Sequence, residues 1–283
     1  MPIDPRPVAV CSWSLQPASS AELVERVRAT GARAVQLALS PIAEHPAAFA
    51  DTFARLADAG IEIASGMLET VGEDYSTLDT IRATGGVVPD ATWPATRARA
   101  IEVARLAGAN GVRLVTFHAG FIPHDAADPT RATLFARLGE LAAMFAAEGC
   151  ALAFETGQES AETLAHALAD LNATLPAAHA IGVNFDPANM ILYGMGDPVA
   201  AVRALAPSIR QAHVKDALPT AVPGTWGSEV RAGTGVVDWP AFLEALAMAP
   251  ATIRLAVERE AGDDRVGDIR AALAMLGGFG FAT

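Results

Sequence analysis

With 283 residues, of which 52% are hydrophobic and 18% charged, the chain is long enough to bury a large core, and its length suits one barrel-type domain or two smaller ones. A net charge of −12 repels polyphosphate backbones and speaks against a nucleic-acid partner. The acidic, proline-broken start and the absence of eighteen uninterrupted apolar residues fit neither a signal peptide nor a membrane span, so a cytoplasmic protein is expected.

Short β-like runs alternate with longer amphipathic, alanine-rich runs. The strand candidates are 8–13, 33–39, 61–67, 112–118, 151–156, 181–186, 209–216 and 252–259, eight in all. Between them, stretches such as "SAELVERVRATGA", "ATWPATRARAIEVARLAGA", "DPTRATLFARLGELAAMFAAEG" and "DWPAFLEALAMA" place apolar residues at helical spacing, with Gly or Pro at their ends. Eight strand–helix units with no G-x-G-x-x-G and no Walker loop predict an α/β chain folded as a single (β/α)₈ TIM barrel over residues 1–283. Two longer loops, at about 68–91 and 217–237, are expected to cover its C-terminal face. The two cysteines, Cys11 and Cys150, lie far apart in apolar surroundings and read as small buried hydrophobes.

Chemistry in this architecture sits at the C-terminal strand ends. The last four strands end in Glu155, Asp186, His213 and Glu258, separated by 31, 27 and 45 residues, so all four can converge on one point. Three carboxylates brought together repel unless a cation joins them, and a divalent metal resolves the conflict. One imidazole with three carboxylates is a hard, oxygen-rich set that favours Mn²⁺ or Mg²⁺, accepts Co²⁺, and suits Zn²⁺ less. Taken singly, each acid could equally be a helix N-cap or a loop ion-pair partner.

Lys215 is the only lysine beside nineteen arginines. Counting by two, it points the same way as His213, toward the barrel mouth, where a compact ammonium can donate to a developing alkoxide or shuttle a proton and a guanidinium cannot. Asp216 would orient Lys215 or a metal-bound water. His118, at the end of the fourth strand, is a candidate partner for a substrate hydroxyl. Trp13, at the end of the first strand, and Trp226, in the second long loop, are candidates for stacking on an apolar substrate face. Asn189 is an N-cap or a substrate contact, and Glu229 and Arg231 on the covering loop are candidates for specificity.

The motifs "FHAGF", "AFETG", "GVNFDPANMILYG", "AHVKDA" and "AVERE" resemble, in order and over nearly the whole chain, the xylose isomerase-like barrel superfamily, in particular its sugar phosphate isomerase/epimerase members. The resemblance implies one divalent metal held by Glu155, Asp186, His213 and Glu258, with Glu260 a rival to Glu258. It also implies proton transfer beside a carbonyl through a metal-stabilised enediolate, with Glu155 and Glu258 as base and acid. The chain departs from the ketose 3-epimerases of that superfamily, which carry a histidine and an arginine where this sequence has Asn189 and Pro219. With no phosphate-gripping glycine loop, the expected substrate is an unphosphorylated sugar or keto-polyol. A homo-oligomer is compatible with the sequence but not specified by it. A lyase or dehydratase acting on an inosose or keto-glycoside would use the same metal. A non-catalytic sugar-binding barrel would not need four converging ligands, and an apurinic endonuclease would collect three metals with more than the six histidines present.

Overall fold

A computed structural model describes residues 6–125 and 127–283. Its strands are β1 (Ala9–Cys11), β2 (Ala34–Ala38), β3 (Glu62–Met67), β4 (Leu114–Phe117), β5 (Ala151–Glu155), β6 (Gly182–Phe185), β7 (Ile209–Val214), β8 (Asp216–Leu218), β9 (Ser228–Val230) and β10 (Arg254–Val257). Eight of them close a parallel barrel in the order β1-β10-β7-β6-β5-β4-β3-β2, and each of the eight strand candidates supplies one barrel strand. Helices buried on one face pack outside. The helices Ser20–Thr30, Trp93–Ala109, Pro129–Ala147 and Trp239–Leu246 fall within the four helical runs quoted above.

Barrel strands with both faces covered need apolar residues at nearly every position, and β10 and β6 are buried throughout. Two boundaries differ from the sequence expectation. The run 8–13 yields only a three-residue β1, because Ser12–Leu15 turns into a 3₁₀ helix anchored where Ser12 Oγ accepts the Ala38 N–H at 2.8 Å. Trp13 therefore stands in a turn above β1. The run 209–216 divides: β7 leaves the barrel at Val214, and Asp216 opens β8, which pairs antiparallel with β9. The expected loop 217–237 is thus largely a hairpin.

The first long loop, 68–91, contains the helix Leu78–Thr84 behind a Thr77 capping box. It seats on the turn after β4 at two glycines. Gly86 has φ +69°, and a Cβ there would lie 2.1 Å from the Ala119 carbonyl; Gly120 has φ +88°, and its Cβ would meet the Gly85 carbonyl at 2.4 Å. Only glycine permits this approach, which brings the loop against His118.

Candidate metal centre

Glu155, Asp186, His213 and Glu258 are brought together from the ends of β5, β6, β7 and β10, each offering one ligand atom within 4.8 Å of the others. His213 Nδ1 lies 3.5 Å from Glu155 Oε1 and 3.4 Å from both Asp186 Oδ2 and Glu258 Oε2, and none of these side chains is more than 5% exposed. Adjacent donors around an octahedral ion at about 2.1 Å stand about 3 Å apart, so this spacing and this donor set fit a small hard cation. A second grouping of Cys11, His213 and Glu258 fits poorly. The Cys11 sulfur is a soft donor and lies 3.8 Å from Nε2 of His213, the ring nitrogen opposite the one that faces the carboxylates, and burial pushes the thiol up to about 12.

Each ligand atom is set by local structure. Asp186 divides its two oxygens: Oδ1 caps the helix Pro187–Leu192 through the Ala188 and Asn189 N–H groups at 2.8 and 3.0 Å, while Oδ2 faces the cluster. The N-cap and the ligand readings of this residue are therefore compatible. Glu155 takes the Asn189 side-chain amide on Oε1 at 3.0 Å and the Asn184 amide on Oε2 at 3.3 Å, with His118 Nε2 at 3.8 Å. Glu258 receives Trp13 Nε1 on Oε1 and Lys215 Nζ on Oε2, both at 2.7 Å. Burial raises the Glu258 pKa, but the Lys215 and His213 cations outweigh it and hold the carboxyl well below the usual range. Burial likewise opposes the charge on His213, and Glu258 and Glu155 overcome it, lifting that imidazole well above its ordinary value.

Lys215 is 4% exposed and bridges Glu258 and Glu260 at 2.7 Å each, with Asp186 at 3.8 Å and Glu229 at 3.9 Å. Both glutamates do lie on its side of the strand end, as alternation requires. Glu258 joins the cluster, whereas Glu260, with 53% of its side chain exposed, stops at the lysine.

Other expected residues fall in different places. Asp216 does not orient Lys215 or face the cluster. Its oxygens accept N–H groups from Ala217, Gly233, Gly235, Val237 and Trp239 Nε1 at 2.9–3.2 Å, so it organises the hairpin and the loop behind it. Glu229 Oε1 holds Arg259 and the backbone of Glu260 and Ala261, clamping the hairpin onto the chain after β10. Arg231 is exposed. Trp226 stands edge-on to Tyr193 at 4.8 Å, with its Nε1 buried and unpartnered. Trp13 keeps its indole N–H on Glu258 and tilts over His213 at 6.2 Å.

Beneath the cluster lies a polar layer that the sequence reading did not pick out: Gln36, Ser65, Thr116, Asn184 and Gln211, all fully buried. Their signal is a polar residue interrupting an apolar strand; Asn184 and Gln211 precede Asp186 and His213 by two, which puts them on the same face. Beside Glu155, a small recess is lined by His118, Gln158, Glu159 and Tyr193. A larger one opens among Val8, Leu246, Ile253 and Phe281 and is lined mainly by apolar side chains.

Glu159 gives a pH prediction. Burial pushes its carboxyl from 4.5 up to about 7, against the Ile122 N–H that it accepts at 2.7 Å. The folded state then holds a proton that the unfolded state releases, so stability is fullest below about pH 4.5 and falls as pH rises to about 7. The loss from this group is at most about 3 kcal/mol. Urea midpoints of Glu159→Gln should be flatter than the parent's across that window; parallel pH profiles would refute the assignment.

A family model described as a xylose isomerase-like TIM barrel matches residues 24–277. Among solved structures, a xylose isomerase domain protein from Planctomyces limnophilus is 33% identical, with a TM-score of 0.79 and 90% of each chain covered. A xylose isomerase-like TIM barrel protein from Mycobacterium smegmatis, solved in complex with magnesium, is 16% identical at TM-score 0.70, with 95% of each chain covered. A 3-keto-D-glucoside 4-epimerase from E. coli is 13% identical at TM-score 0.70, covering 95% of this chain and 98% of that one. The last two share the fold. No curated protein matches the chain, and no helix among the described residues is long and apolar enough to cross a membrane.

Proposed function

This chain belongs to the xylose isomerase-like TIM barrel family, and from that premise we propose that it is a divalent-metal-dependent isomerase or epimerase acting on an unphosphorylated sugar or keto-polyol. The observation that carries the reading is the convergence of three buried carboxylate oxygens on His213 Nδ1. Glu155, Asp186, His213 and Glu258 would hold the ion. When bound, Mn²⁺ or Mg²⁺ supplies a Lewis acid that acidifies the C–H between a substrate's hydroxyl and carbonyl.

The chain's own groups stand on two sides of that point. Glu155 is flanked by His118 at 3.8 Å, and Glu258 by Lys215 at 2.7 Å. Burial raises the Glu155 pKa, but His213 and His118 bring it below the ordinary value, so both glutamates are carboxylates at neutral pH and poised to accept a proton. Burial opposes the charged form of His118, yet Glu155 and Glu73 raise its pKa, which makes it a proton donor beside Glu155. Glu258 suits removal of a proton from one substrate face, and His118, protonated beside Glu155, suits delivery of a proton to the other, which together is epimerisation. Lys215 balances the charge of the Glu258 carboxylate before it takes the proton. His118, Trp13 and Asn189 border the space where substrate hydroxyls would lie.

The test is incubation of the Mn²⁺-loaded protein with a panel of ketoses and keto-polyols in deuterated water. We expect α-deuteration of one member and formation of its epimer or isomer, and elemental analysis should give about one divalent ion per chain. Loss of water or of an aglycone would reassign the protein to the lyases. Tight binding with no exchange by any member would make it a non-catalytic sugar-binding barrel.

A further inference from the structure

We propose that Gln36, on β2, is a positioning residue that selects the tautomer of His213 able to bind the metal; this rests on the metal reading above. Gln36 is fully buried at a strand that supplies no ligand. Its Oε1 lies 2.9 Å from His213 Nε2 and 2.8 Å from Gln211 Nε2, and its own amide nitrogen donates to Thr116 Oγ1 at 2.8 Å.

The direction of these bonds follows from one fixed point. The Glu155 carboxylate can only accept, so the Asn184 group facing its Oε2 at 3.3 Å is the Nδ2 donor. Asn184 Oδ1 then faces Gln211, which must present its Nε2 there, at 3.1 Å. That same Gln211 nitrogen meets Gln36, which must therefore turn its carbonyl oxygen inward. The oxygen so oriented is an acceptor for a proton on His213 Nε2, and with that proton kept there the nitrogen that gives up its proton to a metal ion is Nδ1, facing the three carboxylate oxygens.

An opposing partner is present. Asn184 Nδ2 is 3.0 Å from the same His213 Nε2 and, as a donor, suits the other tautomer, whose Nδ1–H would point at the carboxylates and bind no metal. His213 thus stands between an acceptor that favours the metal-binding form and a donor that favours the other. Removing the acceptor leaves the Asn184 donor and, further off at 3.8 Å, the Cys11 thiol. A carbonyl holding the outer N–H of a ligating imidazole also makes that ligand more basic and fixes its ring plane.

The experiment measures Mn²⁺ affinity by the EPR signal of free Mn²⁺, at one pH, for the parent and three variants. Gln36→Leu should weaken binding by about 10–100-fold. Gln36→Glu keeps an acceptor and should bind within about threefold of the parent or more tightly. Ser65→Ala is the packing control: Ser65 Oγ donates to Gln211 Oε1 at 2.6 Å in the same buried layer but does not touch His213, and its affinity should not move. In the Mg²⁺-loaded parent, ¹⁵N spectra should show His213 protonated at Nε2.

Gln36→Leu binding within about threefold of the parent overturns the proposal. So does equal weakening in Gln36→Glu or Ser65→Ala, which would mean disturbed packing. If Gln36→Leu does not fold, Gln36→Glu decides alone: a loss of more than about tenfold refutes the role. A folded parent that binds none of Mn²⁺, Mg²⁺ or Co²⁺ overturns the metal reading itself, a result distinct from an affinity unchanged by Gln36→Leu.

Discussion

Glu155→Gln is expected to abolish the Mn²⁺-dependent rise in melting temperature and to lower turnover by about 10⁴-fold or more, because one side chain would serve as both ligand and base. At a free ion concentration of about 100 Kd, a ligand that binds only the folded state stabilises it by about 2.7 kcal/mol, which for a chain of this size is a shift of roughly 5–10 °C. A hundredfold loss of affinity leaves about 0.4 kcal/mol, or roughly 1–2 °C. The substitution keeps the volume, and the single amide oxygen can still accept from Asn189 at the cost of the longer Asn184 bond, so the metal-free fold should survive. Differential scanning fluorimetry with and without Mn²⁺ checks the first half and turnover on the substrate found by deuterium exchange checks the second. A metal-dependent shift equal to the parent's would remove Glu155 from the site.

Lys215→Arg should keep Mn²⁺ bound yet cost ~10²–10⁴-fold in turnover, about 3 to 5 kcal/mol of transition-state stabilisation. The structure sharpens the reason. The ammonium is 4% exposed and satisfies Glu258 and Glu260 together while Asp186 and Glu229 lie just beyond. Burial opposes its charge, and Glu258 and Glu260 outweigh it, raising its pKa well above the ordinary value. It therefore acts as a fixed positive charge and hydrogen-bond donor, and the proton-shuttle role that its isolation in the sequence suggested becomes the weaker one. A planar, wider guanidinium keeps the charge but cannot place it at the same point between two carboxylates without moving Glu258. Turnover within twofold of the parent would show that the only lysine stands beside the site without taking part in it.

The four clustered residues were legible because each is a polar group at the end of an apolar strand, and barrel strands deliver such groups to one rim whatever their partners. Glu258 and Glu260 were not separable that way: both lie on one side of the chain, and only the end of the barrel ladder at Val257 leaves the first in the cluster and the second at its edge. Asp216 misled for a related reason. It follows Lys215 directly, yet the strand breaks between Val214 and Asp216, and the new hairpin turns its carboxylate toward five backbone and indole donors.

By itself, the sequence determined the closed eight-stranded alternation and the four side chains at its mouth, since both follow from periodicity: two along a strand, 3.6 along a helix, one unit per polar strand end. Only the tertiary structure decided which nitrogen of His213 faces the carboxylates, which acids Lys215 joins, and that Gln36, Asn184 and Gln211 form one directed network beneath them. Those pairings join β2 to β7 and β7 to β10, across 177 and 43 residues of chain. They exist because a closed barrel excludes water from its interior, and a buried polar group there must find its partner among whatever the closure brings within 3 Å.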